Sequence, residues 1–198
     1  MEWLRKLKDV EEQSLWDCLH DGEVFSVITD TPAETVSLSV TVSHLVGTDE
    51  LPDDVHFVVT VQHVRAVMAV LHVPPYPFEE PVGVTREQLS ALITAYHESY
   101  RAESIAWSQF EGALATDPLR IADASLFERE DMAVLTIGGH LDDDLFNDVY
   151  CEIIIGGRSL TARRSDDEPF DFARLIDLGN RYWEAFAKRR DDRENAPN

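Results

Sequence analysis

Basic residues are scarce in this chain. Only 17 Lys and Arg stand against 38 Asp and Glu in 198 residues, a formal net charge of −21. A phosphate backbone is gripped by Lys and Arg that displace its counterions, so the deficit argues against nucleic-acid binding and against docking on an anionic membrane. Cysteine is scarcer still. Cys18 and Cys151 lie far apart and are too few for a disulfide framework; one falls in a helix-like and one in a strand-like segment, each patterned to bury a small apolar side chain. No run reaches the roughly 18 apolar residues of a membrane span. Residues 1–9 are charged throughout, where a signal peptide needs an apolar centre. The expected location is therefore the cytoplasm.

Chemical motifs are missing as well. There is no Gly-x-Ser-x-Gly elbow and no glycine-rich phosphate loop. The stretch around Asp142, Asp143, Asp144 and Asp148 lacks the alternating ligands and closing Glu of a calcium loop. His44, His72, His97 and His140 show no ligand spacing, and His56 and His63, seven apart on one expected strand, point to opposite faces. No metal or cofactor is expected.

What is present is periodicity. Residues 2 to about 18 place Trp3, Leu7, Val10 and Ser14 on one stripe beside Leu4 and Leu15, which predicts a helix. Strands follow over 23–29 and 35–45, where Val36, Leu38, Val40 and Val42 alternate with Ser and Thr, and over 55–62 and 64–73. Pro74-Pro75-Tyr76-Pro77 ends the sheet pattern. Thr85-Arg86-Glu87-Gln88 forms a capping-box sequence, opening a helix expected to run to about 114 with an apolar stripe of Leu89, Leu92, Ile93, Tyr96, Tyr100, Trp107 and Phe110. The second half has strand patterns over 125–128, 132–137 and 149–155 and a loop over 138–148. Gly156-Gly157 then signals a hairpin into a returning strand over 158–163. A final helix carries Phe172, Leu175, Ile176, Tyr182 and Phe186.

The two halves match in order. Residues 54–61 align with 148–155, and Leu92-Ile93 with Leu175-Ile176. The expected class is α+β, with two antiparallel ββββα units in pseudo-duplication preceded by an N-terminal helix. These form a single domain built from halves 19–116 and 121–190. Duplication would place two acidic loops at equivalent edges, one with Asp49, Glu50, Asp53 and Asp54, the other with Asp142, Asp143, Asp144 and Asp148. Paired negative charge of this kind speeds encounter with a basic protein and rejects wrong partners. His20, Asp21 and Gly22 are expected to form a structural turn that bonds backbone amides.

The stretch Leu15-Trp16-Asp17-Cys18-Leu19-His20-Asp21-Gly22-Glu23-Val24, followed by the strand at 55–61 and Val64, resembles the opening of certain small bacterial immunity proteins. These begin with a Trp, a His-Asp-Gly/Ala-Glu turn and β-hairpins. The resemblance covers residues 15–72; the second half departs from it, with Ala122-Asp123-Ala124-Ser125 at the corresponding place. It implies a protein that neutralises a toxin by binding it. Three functions stay open from the sequence. One is a non-catalytic acidic binding protein, immunity-like, that neutralises or sequesters a basic partner as a monomer or homodimer. Another is an acidic chaperone or adaptor for an exported protein. The third is a hydrolase centred on His20, Asp21 and Glu23.

Overall fold

A computed structural model describes residues 12–45, 51–52, 55–74, 81–141, 149–166, 168 and 170–194. In chain order the elements are β1 (Glu12–Ser14), α1 (Trp16–Leu19), β2 (Gly22–Asp30), β3 (Thr35–Val42), β4 (Phe57–Gln62) and β5 (Ala66–Val73). They continue with α2 (Arg86–Glu98), β6 (Arg101–Ile105), α3 (Trp107–Leu114), β7 (Leu119–Arg129), β8 (Met132–Leu141), β9 (Val149–Gly157), β10 (Ser159–Arg164) and α4 (Phe172–Glu194). The class is α+β with one ten-stranded antiparallel sheet, ordered β10-β4-β3-β2-β7-β8-β9-β5-β6, and β1 on the edge of β7.

The sheet folds back on itself for a reason visible in its register. β4 runs on into β5, and β9 into β10, so two long bent strands lie antiparallel along their whole length. His72↔Tyr150 through Ala66↔Gly156 forms one stretch of that ladder and Gln62↔Ser159 through Phe57↔Arg164 the other. The ladder persists through the bend, where the Arg65 amide donates to the Gly156 carbonyl and the Arg158 amide to the Gln62 carbonyl, both at 2.8 Å. His63 turns the chain with φ 49°. Gly157 is required opposite it, because a Cβ there would lie 2.5 Å from the Gln62 carbonyl oxygen. A short seam, Glu23↔Arg120 and Val24↔Leu119, joins β2 to β7 and completes the circuit of pairing.

Alternation then sorts the side chains. Val36, Leu38, Val40 and Val42 of β3 are buried together with Phe57, Val59 and Val61, with Leu135 and Ile137, and with Cys151, Ile153 and Ile155. The opposite face carries hydroxyl pairs such as Ser37 Oγ with Thr60 Oγ1 at 2.8 Å. Phe110 and Leu114 of α3 and Leu175 and Leu178 of α4 join the same core.

Several sequence expectations are corrected. The expected helix over 2–18 falls on residues outside the described set up to 11; its described part is strand β1 and the four-residue α1. The helix expected over 85–114 breaks into α2, β6 and α3, because 101–105 pairs with β5. Residues 138–141, read as loop, continue β8. Gly156-Gly157 closes no hairpin: β10 leaves β9 and pairs with β4. Leu92 and Ile93 are 44% and 37% exposed, whereas Leu175 is wholly buried, so the two pairs occupy unlike environments.

Candidate functional site

The turn between α1 and β2 is shaped by backbone crowding. Asp21 takes a left-handed φ of 59°, a conformation Asp tolerates better than most residues. A Cβ at Gly22 would lie 2.7 Å from the Thr41 carbonyl oxygen and 2.8 Å from that of Leu19. The turn therefore needs the sequence it has. It aims His20 at β7, where a bulge at Ala122 releases a carbonyl from the ladder. His20 Nδ1 lies 3.2 Å from that oxygen. The histidine thus meets a carbonyl rather than the amides anticipated from sequence.

Around His20 stands an aromatic stack built by α1 and α4. Trp16 lies flat against His20, with centroids 4.3 Å apart, and Trp183 sits 5.0 Å from Trp16. The Trp183 indole donates to the Asp17 carbonyl at 2.9 Å. His44 packs against Tyr182 and Trp183 at 4.7 and 5.6 Å. Its ring nitrogens are buried and neither makes a hydrogen bond of normal geometry among the described residues; the nearby Asp17 carbonyl is already used by Trp183. Burial lowers the pKa of His44, against the weaker opposing effects of the Asp17 backbone carbonyl and the Asp21 carboxylate. Burial also pushes both thiols, Cys18 and Cys151, up to about 12, which makes them unreactive core groups.

His20 opens onto a cleft of about 440 Å³ that straddles the β2–β7 seam, lined by Asp21, Glu23, Arg120, Ala122 and His140. His20 Nε2 is 3.4 Å from Asp21 Oδ1. The cleft brings together all three residues of the hydrolase alternative and adds a second histidine. It is shallow, Asp21 is largely exposed, and no serine, threonine or cysteine among the described residues lines it. Such a wall can orient a polar group by hydrogen bonding but supplies no side-chain hydroxyl or thiol for covalent catalysis.

On the other side of His140 lies a second cavity of about 310 Å³, lined by His72, His97, Tyr100, His140 and Tyr150. The spacing of these histidines along the chain gives no sign of this. They converge because cross-strand register sets His72, Tyr150 and His140 side by side on β5, β9 and β8. Period-two alternation can place each on a face but cannot name its neighbour.

The acidic residues expected to bind a partner, Asp49, Glu50, Asp53, Asp54, Asp142, Asp143, Asp144 and Asp148, lie outside the described residues. The bracketing residues Leu141 and Val149 are cross-strand partners. Within the described set, acidic side chains are exposed at two hairpin tips, Asp30 and Glu34 between β2 and β3, and Glu128, Glu130 and Asp131 between β7 and β8. Among the described residues no group of three or more His, Cys, Asp or Glu is placed to hold a metal ion, and no helix is long and apolar enough to cross a membrane. The chain matches no protein-family model, no curated protein and no solved structure.

Proposed function

We propose that this is a non-catalytic, immunity-like binding protein that sequesters or neutralises a basic protein partner in the cytoplasm. The observation that carries the reading is the charge imbalance, 38 acidic against 17 basic residues, which favours encounter with a positively charged surface. The acidic hairpin tips add support. We also propose that the chain arose by duplication, so that its acidic loops act as a pair. Supporting this, the bulges at Phe25 and Ala122 have the same separation in sequence as Glu23 and Arg120, which pair across the seam.

The test is capture of partners from the native host's lysate at about 50 mM and about 500 mM NaCl, conditions that change the screening length severalfold. The expected partner is basic and is released by salt. Neutralising Asp49, Glu50, Asp53, Asp54, Asp142, Asp143, Asp144 and Asp148 together weakens it at least about tenfold. Salt-insensitive binding, or binding indifferent to the eightfold variant, overturns the reading. A second reading, an adaptor for an exported protein, is favoured by the exposed Leu92 and Ile93 on α2. It predicts salt-insensitive capture that is lost in Leu92→Glu/Ile93→Glu.

A further inference from the structure

The cavity between the end of α2 and the strands β8, β9 and β5 is walled by rings. His72, Tyr150 and His140 form a row across three neighbouring strands. Tyr150 packs T-shaped against both histidines, at 5.5 Å and 68° for His72 and at 5.7 Å and 82° for His140. His97 and Tyr100, with ring centroids 5.3 Å apart, close the cavity from the end of α2. The next row of the sheet is acidic: Asp123 pairs with Gly138, and Gly138 with Glu152. Gly138 has to be glycine for the site to exist, since a Cβ there would overlap the Tyr150 hydroxyl. The missing side chain lets the phenol lie across β8 towards these carboxylates. Burial, then Asp123 and Glu152, raise the pKa of Tyr150 and keep it protonated. Glu152 Oε2 also stands 3.5 Å from His72 Nε2. Arg120, the cross-strand partner of His140, brings a positive charge beside it on β7 and lines the neighbouring cleft beside Glu23.

Aromatic rings with carboxylates on the adjoining row of the sheet, within a strongly anionic molecule, attract positive charge. The described residues converge no set of metal ligands. The volume, about 310 Å³, suits a compact organic molecule. We propose that this cavity is a binding site for a small organic ammonium ion, held among the rings of Tyr100 and Tyr150, with the nearby carboxylates of Glu152 and Asp123 adding negative potential. The site is independent of the capture of a basic protein, so either can fail alone.

The experiment titrates the 15N-labelled protein with choline and with its neutral isostere 3,3-dimethylbutan-1-ol, following amide NMR shifts. Choline is expected to bind about tenfold more tightly than the isostere, perturbing amides around His140, Tyr150 and Tyr100. Tyr150→Phe keeps the preference because the aromatic ring remains, while Tyr150→Leu and Tyr100→Leu each reduce it to within about twofold. Tyr100 lies at the junction of α2 and β6, outside the core cluster, so its variant decides the matter if Tyr150→Leu does not fold. Equal binding of the two probes, no shifts at the cavity with choline at about 100 mM, or a preference that survives the folded Leu variants overturns the proposal.

Discussion

A methyl group added at Gly179 would sit 2.7 Å from the Asp17 carbonyl carbon and from the Cys18 Cα, where α4 crosses α1. Ordinary helix propensity favours Ala over Gly by about 1 kcal/mol. Here backbone stands in the way, and overpacking of this kind costs about 1–3 kcal/mol. Gly179→Ala is therefore expected to destabilise by about 1 kcal/mol net in urea unfolding, the overpacking cost less the propensity gain. Gly112→Ala, in α3 with nothing within 4 Å of the new methyl, is expected to stabilise by about 0.5–1 kcal/mol. Equal effects at the two sites would remove the argument that α4 is locked onto α1 by backbone contact. Residue-scale features divide along the same line. The burial of the two cysteines was legible, because local patterning sets it. Gly179, Gly138 and Gly157 were not, because the groups that require them lie elsewhere in the chain.

Helix α2 shows how an element can be well specified and still poorly attached. Its capping box is complete: Gln88 donates its amide to Thr85 Oγ1 at 3.3 Å, and the Thr85 amide donates to Gln88 Oε1 at 2.9 Å. Of its buried residues only Tyr96 qualifies, while Leu92 and Ile93 face outward. An element with so little packed area opens locally, below the free energy of global unfolding. Thr85→Ala should remove about 1 kcal/mol of cap stabilisation. Amide exchange within α2 is then expected to accelerate about fivefold while the urea midpoint of the whole protein stays where it was. A fall in that midpoint matching the lost cap would mean that α2 unfolds with the core. The start of this helix could be read from its cap. Its end could not: the apolar stripe runs on through Tyr100, Trp107 and Phe110, and only pairing with β5 turns 101–105 into strand. Strands were likewise visible by alternation, but the partner of β10 was hidden, since Gly156-Gly157 reads locally as a hairpin.

At the scale of the whole molecule the dominant quantity is the charge of −21. A compact chain of 198 residues has a radius of gyration of about 16 Å. The screening length is about 30 Å at 0.01 M salt and about 8 Å at 0.15 M. In dilute buffer every acidic group therefore feels most of the others; at higher salt it feels only its neighbours. Unfolding relieves the repulsion by moving the charges apart, so dilute buffer favours the unfolded chain. Surface ion pairs oppose this trend, because salt weakens them too, but pairing every one of the 17 basic residues would still leave the excess of 21 acidic ones. Arg181–Asp177 is an exposed pair worth at most about 1 kcal/mol, while Arg164–Asp166 is partly buried and so less sensitive to salt. Repulsion should win. The thermal midpoint is expected to rise by about 2–8 °C between 0.01 M and 0.3 M NaCl, equivalent to roughly 1–2 kcal/mol for a domain of this size. Chloride is the appropriate anion, since sulfate would strengthen apolar burial and raise the midpoint for an unrelated reason. A flat or falling midpoint would show that the negative charges are already compensated in the fold. The same measurement then bears on partner capture, because a surface whose charges are internally compensated presents no field for a basic protein to follow.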